Sequence, residues 1–554
     1  MSRPPWRRVL RLLALTTWLA TWLTIWLTSW LPSAGCSPPR APARTATLWL
    51  AGHPLPAFDP DGPPDALRQA LERQLSRGLV ELDSAGVVRP ALADSFGCSR
   101  DSLTWTFHLR DGARFTDGTH VTSAHIRDAL VGGLAREDHA TRAWLLAAVR
   151  GVPAVRPGRA LPSLGIETAG DARLVLELAV REPRLLEKLA TPGTCTPWKR
   201  RRGGWRDAVG VGPYRVAGAD GDRQLTLVAA PSSAGASAMA DTLRVRFLAG
   251  AIRVRNILRR SGANVLWPLP PGFLDSGLPE GFELGGAPAR PERQLLLVLR
   301  PDVPPLGKLE VREALARAIR PIELALALGP LGEPLKRWPA GANAPYAWPA
   351  PETEAERAVR AAAELARQEQ ARRELARRGS YRRTAAADRP ESYHVVLAFD
   401  ADQSGASVAA ALQGQWAAAG DYAELRALHG DAALAQPLRA AGTQATLVES
   451  QAPLTGLVPE LAMLVQPLRG PVRGSFRTGW RTREFDRWLL PPGAAALNPD
   501  TVQHRLAEQR IVLPVASLPW RVAFRTGAAR PRIDPRFGPD WTVTARGSGN
   551  ARTR

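Results

Sequence analysis

The sequence predicts a mixed α/β protein of two or three domains carried behind an apolar N-terminal helix. Three observations predict it. Strand-like runs alternate with helix-period runs, as where "TATLWLAG" is followed by the amphipathic stretch Pro64–Val80. Beyond Leu31 no second charge-free apolar run of membrane length recurs. The remaining chain of about 500 residues is enough for several cores.

The N-terminal element comes first. Leu12 to Leu31 carries no charge and is long enough to cross a hydrocarbon layer of about 30 Å. Arg3, Arg7, Arg8 and Arg11 precede it, and the small, Pro-rich "LPSAGCSPPRAPAR" follows and cannot continue a helix. Positive start, apolar middle and small-residue break are the order of an export signal; the length also suits an uncleaved anchor. Trp18, Trp22, Trp26 and Trp30 recur along it, and indoles sit well in membrane segments without any binding role. Residues 1–35 are therefore expected to be a signal peptide or membrane anchor, and 36–46 a tether.

Composition narrows the classes. The formal net charge is +21, from 73 basic and 52 acidic residues. The basic residues are mostly Arg, spread along the chain, and no zinc knuckle or RNA-binding aromatic pattern interleaves them. The expectation is a solvated surface that favours anionic headgroups, with no nucleic-acid partner. Of three cysteines, Cys36 lies beside the export segment, leaving Cys98 and Cys195. In an oxidising compartment a disulfide between them and two separate thiols both fit.

Along the chain, Leu67, Ala70, Leu71, Leu75 and Leu79 share one helical face. Asp83–Gly86 is a turn. Leu103–Leu109, "LTWTFHL", alternates as a strand does. Arg110–Gly112 and Thr116–Thr119 are tight polar turns in which Gly can take positive φ. Thr122–His125 opens a helix with Ile126, Ala129 and Leu130 facing inward. Residues 351–392 are Ala-, Arg- and Glu-rich, with a capping box at Thr353 and Glu356 and a stop at Gly379, so a solvated helical extension is expected. The tail after Arg525 is expected to fray.

One stretch carries a specific resemblance. Gly78-Leu79, Asp83, Gly86, Pro90, Leu92-Ala93, Ser95, Ser99, Asp101, Phe107, Leu109-Arg110, Gly112, Phe115, Asp117-Gly118 and Ala124 match the pattern of the family 5 extracellular solute-binding proteins, the oligopeptide, dipeptide and nickel binders of ABC importers. Phe58-Asp59-Pro60, "VGVGPYRV", "IRVRNILRRSGANVLWPLPP", "LEVREALARAIRPIELA" and "GWRTREFDRWL" continue it in order, so it covers roughly Leu48 to Phe524. Separately, Ala34-Gly35-Cys36 resembles the end of the bacterial lipoprotein box, with Ser33 where Leu is usual; this implies lipidation of Cys36.

The resemblance implies an α/β fold of the periplasmic-binding-protein-like type II, with two lobes and an additional small domain, discontinuous in sequence. Lobe I would take 47–76, 163–270 and a return over 500–554; the small domain 77–162; lobe II 271–499 with the insertion 351–392. It implies a peptide or small-solute ligand held between the lobes, an ABC permease as partner, a membrane surface reached through the N-terminal lipid or helix, and a monomeric chain without cofactor or metal. Placing Pro453 on the last proline of the family's W-x-x-D-Y-P-D-P stretch puts Glu449 on its first Asp, which implies capture of a ligand amine; the aromatic residues and the second acid, at Ala452, are missing. An exposed loop glutamate is the plainer reading. Trp267, at a strand end before Pro268, Pro270 and Pro271, is either a ring packed on the ligand or a core tryptophan.

Nothing favours an enzyme. No H-E-x-x-H, G-x-S-x-G, P-loop or G-x-G-x-x-G is present, and His120 and His125, five apart, do not share a helix face. The alternative to import is a degenerate relative that serves as an envelope scaffold or sensor.

Overall fold

The computed structural model describes residues 47–544, apart from short gaps, scattered positions in 351–373 and the longer stretches 135–144, 374–392, 429–442 and 452–498. The apolar run Leu12–Leu31, Cys36, Gly379 and "GWRTREFDRWL" lie outside the described residues.

Two large sheets with separate cores dominate. The first has seven strands in the order Phe282–Gly286, Arg521–Arg525, Val265–Leu266, Thr47–Ala51, Thr242–Phe247, Gln224–Ala229 and Tyr214–Asp220. Its centre is Thr47–Ala51, parallel to both neighbours. Strand alternation explains its two faces. Trp49 and Ala51 point to one core with Leu67, Leu71, Leu75, Tyr214 and Trp267. Leu50 points to the other, with Val254, Leu258, Leu266 and Phe273. The helix Ala66–Leu75 covers the first face, as its leucine spacing predicts. On the opposite face Ala251–Arg260 buries Val254 and Leu258, one turn apart, and leaves Arg253, Arg259 and Arg260 exposed.

The second sheet has six strands: Glu333–Pro334, Val512–Ser517, Arg293–Leu299, Ala445–Gln451, His394–Asp400 and Tyr422–Leu428. Gln294–Leu299 is buried throughout, as a strand covered on both faces should be. Helices Leu309–Arg317, Pro321–Leu326 and Gly405–Ala418 contribute Leu315, Leu324, Leu412 and Trp416 to its core. These two bodies are the expected lobes. The Thr353 capping box forms: Glu356 N donates to Thr353 Oγ1, and Thr353 N to Glu356 Oε2.

A third, smaller sheet runs Ala93–Cys98, Thr104–Leu109, Arg173–Glu177, Ile166–Thr168, all antiparallel. Phe107 and Leu109 face its core with Ile126 and Leu130 of the helix Ser123–Gly132, as the alternation and the helix signal predict. The turns at Gly112 and Gly118 do take positive φ, +65° and +88°. Asp117 closes the second turn. Slight burial would raise its pKa, but hydrogen bonds from Lys199 and Thr119 outweigh this and hold it at about 2. Its role here is structural.

Several boundaries differ from expectation: lobe II was expected to begin at 271, but Phe282–Gly286 pairs with Arg521–Arg525 in the lobe I sheet. The small domain was expected to end at 162, but Ile166–Thr168 and Arg173–Glu177 belong to its sheet, because Leu174 and Leu176 alternate into the same core and pair across from Phe107 and Trp105. The return to lobe I was expected at 500. The helix Pro499–Gln509 and strand Val512–Ser517 instead stay in lobe II, where Val512–Ser517 supplies Leu513 and Val515 to the core and flanks Arg293–Leu299.

Up to Thr544 the described part of the tail does not fray. Arg532–Asp534 pairs with Gly538–Asp540, and Thr542–Thr544 pairs with Ala236–Ala238. Trp541 is buried in the lobe I core, and its carbonyl accepts from Tyr214 Oη at 3.1 Å. Asp540 is fully buried between Arg73 (3.5 Å), Arg77 (3.5 Å) and Arg532 (2.7 Å). Burial alone would raise its pKa; the charges of Arg77, Arg73 and Arg532 overcome this and hold it well below the carboxylate range.

Cys98 and Cys195 are not joined. Cys98 ends an exposed strand. Cys195 is buried beside Gly78, with Sγ donating to the Leu189 carbonyl at 3.0 Å.

Candidate functional site

Among the described residues the chain passes between the two large sheets twice, between Gly286 and Arg293 and between Ser517 and Arg521. The described side chains that flank these crossings form the junction of the lobes.

Arg293 opens the apolar strand of lobe II, and Glu449 lies on the strand beside it. Register places Leu295 opposite Glu449 and Arg293 opposite Gln451. Since side chains alternate, Arg293 and Glu449 are diagonal neighbours on one face. The guanidinium uses both Nε and Nη2 on Glu449 Oε1. Its flat face stacks on the Trp520 ring, with Cζ 3.9 Å from the centroid. Glu449 Oε2 is shielded from solvent and has no hydrogen-bond partner among the described residues. The two side chains are only 16% and 13% exposed, so the pair is largely closed to solvent. Glu449 is therefore neither a loop residue nor an exposed one.

Trp520 sits in the second crossing, and the Leu518 amide donates to the Arg293 carbonyl at 2.8 Å. Next to it Arg521, at the start of its lobe I strand, reaches Glu333 on the edge of lobe II at 3.0 Å. One ion pair thus bridges the lobes directly.

Trp267 lies behind this junction. Its ring is completely buried, 5.7 Å from Trp49 and 4.9 Å from Trp520 between centroids. Trp49 Nε1 donates to its carbonyl at 2.6 Å. Gly538, at φ +77°, lies so close that an added Cβ would come within 2.4 Å of the indole. Of the two placements the sequence left open, the ring takes the buried one, packed against Trp49 and Trp520.

Arg293, Trp520, Arg521 and Glu333 were not picked out from the sequence. A faint signal existed. Arg293 abuts the apolar run "QLLLVL", which Arg300 closes at its other end, and Trp520-Arg521 interrupts two apolar strands in "VLPVASLPWRVAF". Among the described residues no group of three His, Cys, Asp or Glu side chains is placed to hold a metal ion.

Comparison with known proteins places this architecture. The pattern of the family described as Bacterial extracellular solute-binding proteins, family 5 Middle, matches residues 87–451. The glutathione-binding protein GsiB of Escherichia coli O1:K1 / APEC is 33% identical over 85 residues, 15% of this chain and 17% of that protein. The periplasmic oligopeptide-binding protein OppA of Haemophilus influenzae is 39% identical over 67 residues, 12% of each. These alignments span less than a fifth of either relative. The fold similarity is far longer. The murein tripeptide binding protein MppA of Escherichia coli superposes with a TM-score of 0.69 over 90% of this chain and 97% of that one, at 16% identity. Haemophilus influenzae OppA in complex with RPPGFSPFR gives 0.66 over 87% and 95%, also at 16% identity. With the family pattern running over more than half of its 554 residues, this two-lobed chain belongs to the family 5 bacterial extracellular solute-binding proteins.

Proposed function

We propose that this chain is the solute-binding component of an ABC importer. It takes up a peptide or similar small solute between its lobes and presents the closed form to a membrane permease powered by a separate ATPase. The observation that carries the reading is the junction itself. Two lobes with independent cores meet at two short crossings, and an aromatic ring and two ion pairs are gathered there. Solute binding then favours closure by its differential contacts with the open and closed states. GsiB and OppA, similar over short stretches, are named for glutathione and oligopeptides.

Export through the segment 1–35 would place the protein in the cell envelope. A lipid on Cys36, or the uncleaved helix Leu12–Leu31, would hold it near its permease through the tether 36–46. Mass spectrometry of the membrane-extracted chain checks this: either a diacylated N-terminal Cys36 or an uncleaved chain that keeps Leu12–Leu31 is expected, and a chain that lacks both the lipid and that helix contradicts it.

The test of solute binding is a thermal melt of the purified chain against pools of short peptides. A ligand at a hundredfold excess over its Kd stabilises by about 2.7 kcal/mol and raises the melting point. Melting unmoved by every pool contradicts the proposal. A second reading, a relative that no longer hands a solute to a permease, draws on one observation: the carboxylate expected to meet a ligand amine is engaged by Arg293.

A further inference from the structure

We infer that Arg293 sets the specificity of the junction by occupying the place of a ligand ammonium, so the solute presents no free amine to Glu449. The inference rests on the solute-binding reading and refines it.

A carboxylate at a lobe junction draws a cation. In this chain the cation is supplied from within. Arg293 lies diagonal to Glu449 on the same sheet face, donates its Nε–H to Oε1 and sets Nη2 against the same oxygen in an ion pair. The guanidinium is held from a second side by the Trp520 ring at 3.9 Å, and Trp520 is itself wedged against the buried Trp267. The Arg293 backbone is fixed as well, since its carbonyl accepts from the Leu518 amide. The cation is thus built into the strand, the crossing and the lobe I core.

The other carboxylate oxygen offers no easier entry. Oε2 is shielded from solvent in this geometry, so an ammonium finds no open face of Glu449 while Arg293 stays in place. Binding one would require either eviction of Arg293, with loss of its stacking, or two cations against one carboxylate. Like charges at that separation oppose each other. A solute end without net positive charge meets neither obstacle. Once the lobes open, an amide N–H or a hydroxyl could donate to Oε2 without setting a second cation against Arg293, and it would complete an acceptor that has no partner among the described residues. The favoured class is therefore a small solute whose end at this junction is neutral, such as an N-acylated peptide.

Matched peptides separate the possibilities. The full chain is titrated by calorimetry with di- to pentapeptides of identical sequence, each with a free and an N-acetylated terminus. The wild type is expected to bind the acetylated forms as tightly as the free ones or more so. Arg293→Met, which frees Glu449, is expected to shift the ratio toward the free amine by about tenfold, or about 1.4 kcal/mol. Arg293→Gln repeats the test with a side chain that keeps a hydrogen bond. A wild type that loses about tenfold or more on acetylation overturns the inference and leaves solute binding standing. Variants with an unchanged ratio also overturn it. Failure of every peptide to bind any of the three proteins overturns the peptide-binding reading, and this inference with it.

Discussion

Asp540 shows how a single side chain fixes a terminus. Its carboxylate is fully buried among three arginines, and its folded pKa lies below the unfolded value of about 3.9. A depressed acid stabilises the fold above its unfolded pKa, and that contribution fades as pH falls toward the folded value. The pair contribution is therefore complete above about pH 4 and declines below it. Asp540→Asn leaves Arg73 and Arg77 short of a counter-charge and is expected to cost about 3–5 kcal/mol at neutral pH. Urea denaturation of both proteins checks this: the gap should narrow below about pH 4, and a gap that stays constant in acid contradicts the assignment. Trp267 is the apolar counterpart. Trp267→Ala empties the space between Trp49, Trp520 and Gly538 and is expected to cost about 3–5 kcal/mol, measured the same way. An effect near zero would mean that the ring is not enclosed.

At the scale of elements, the C-terminal hairpin Arg532–Asp540 and the strand Thr542–Thr544 form a clasp over the helix Ala66–Leu75. Truncation after Arg530 removes Trp541 and the acids that compensate Arg73 and Arg77. The shortened chain is expected to melt several degrees lower, since about 1 kcal/mol moves a large domain by about 2–4 °C. An unchanged melting point would show the clasp to be dispensable. The sequence reading missed this element because its signal is not periodic. "RIDPRFGPDWTVT" is Arg-, Gly- and Pro-rich, and its strands are too short to alternate visibly. Their stability comes from charges distant in sequence, which local patterning cannot reveal. Elements with local signals were legible: the helix 66–75 from its leucines, the strand 104–109 from its alternation, and the glycine turns from their composition. The domain boundaries at 162 and 500 slipped for the reason the tail did, since they depend on which sheet a strand joins. Glu449 was identified by motif position, but its partner Arg293 lies 156 residues away and only strand register brings the two together.

At the scale of the whole molecule, the two lobes keep separate cores, and among the described residues they meet beside the crossings at Gly286–Arg293 and Ser517–Arg521. The Arg521–Glu333 pair spans them, partly exposed at 27% and 45%, and exposed pairs contribute about 0–1 kcal/mol. Such a bridge can guide the closed geometry without locking it. Small-angle X-ray scattering, recorded as the chain is titrated with a peptide pool that raises its melting point, tests closure around a solute most directly. Hinge closure predicts a radius of gyration that falls and then saturates with the same midpoint as the thermal shift. A radius that stays constant while the solute binds would contradict a site between moving lobes.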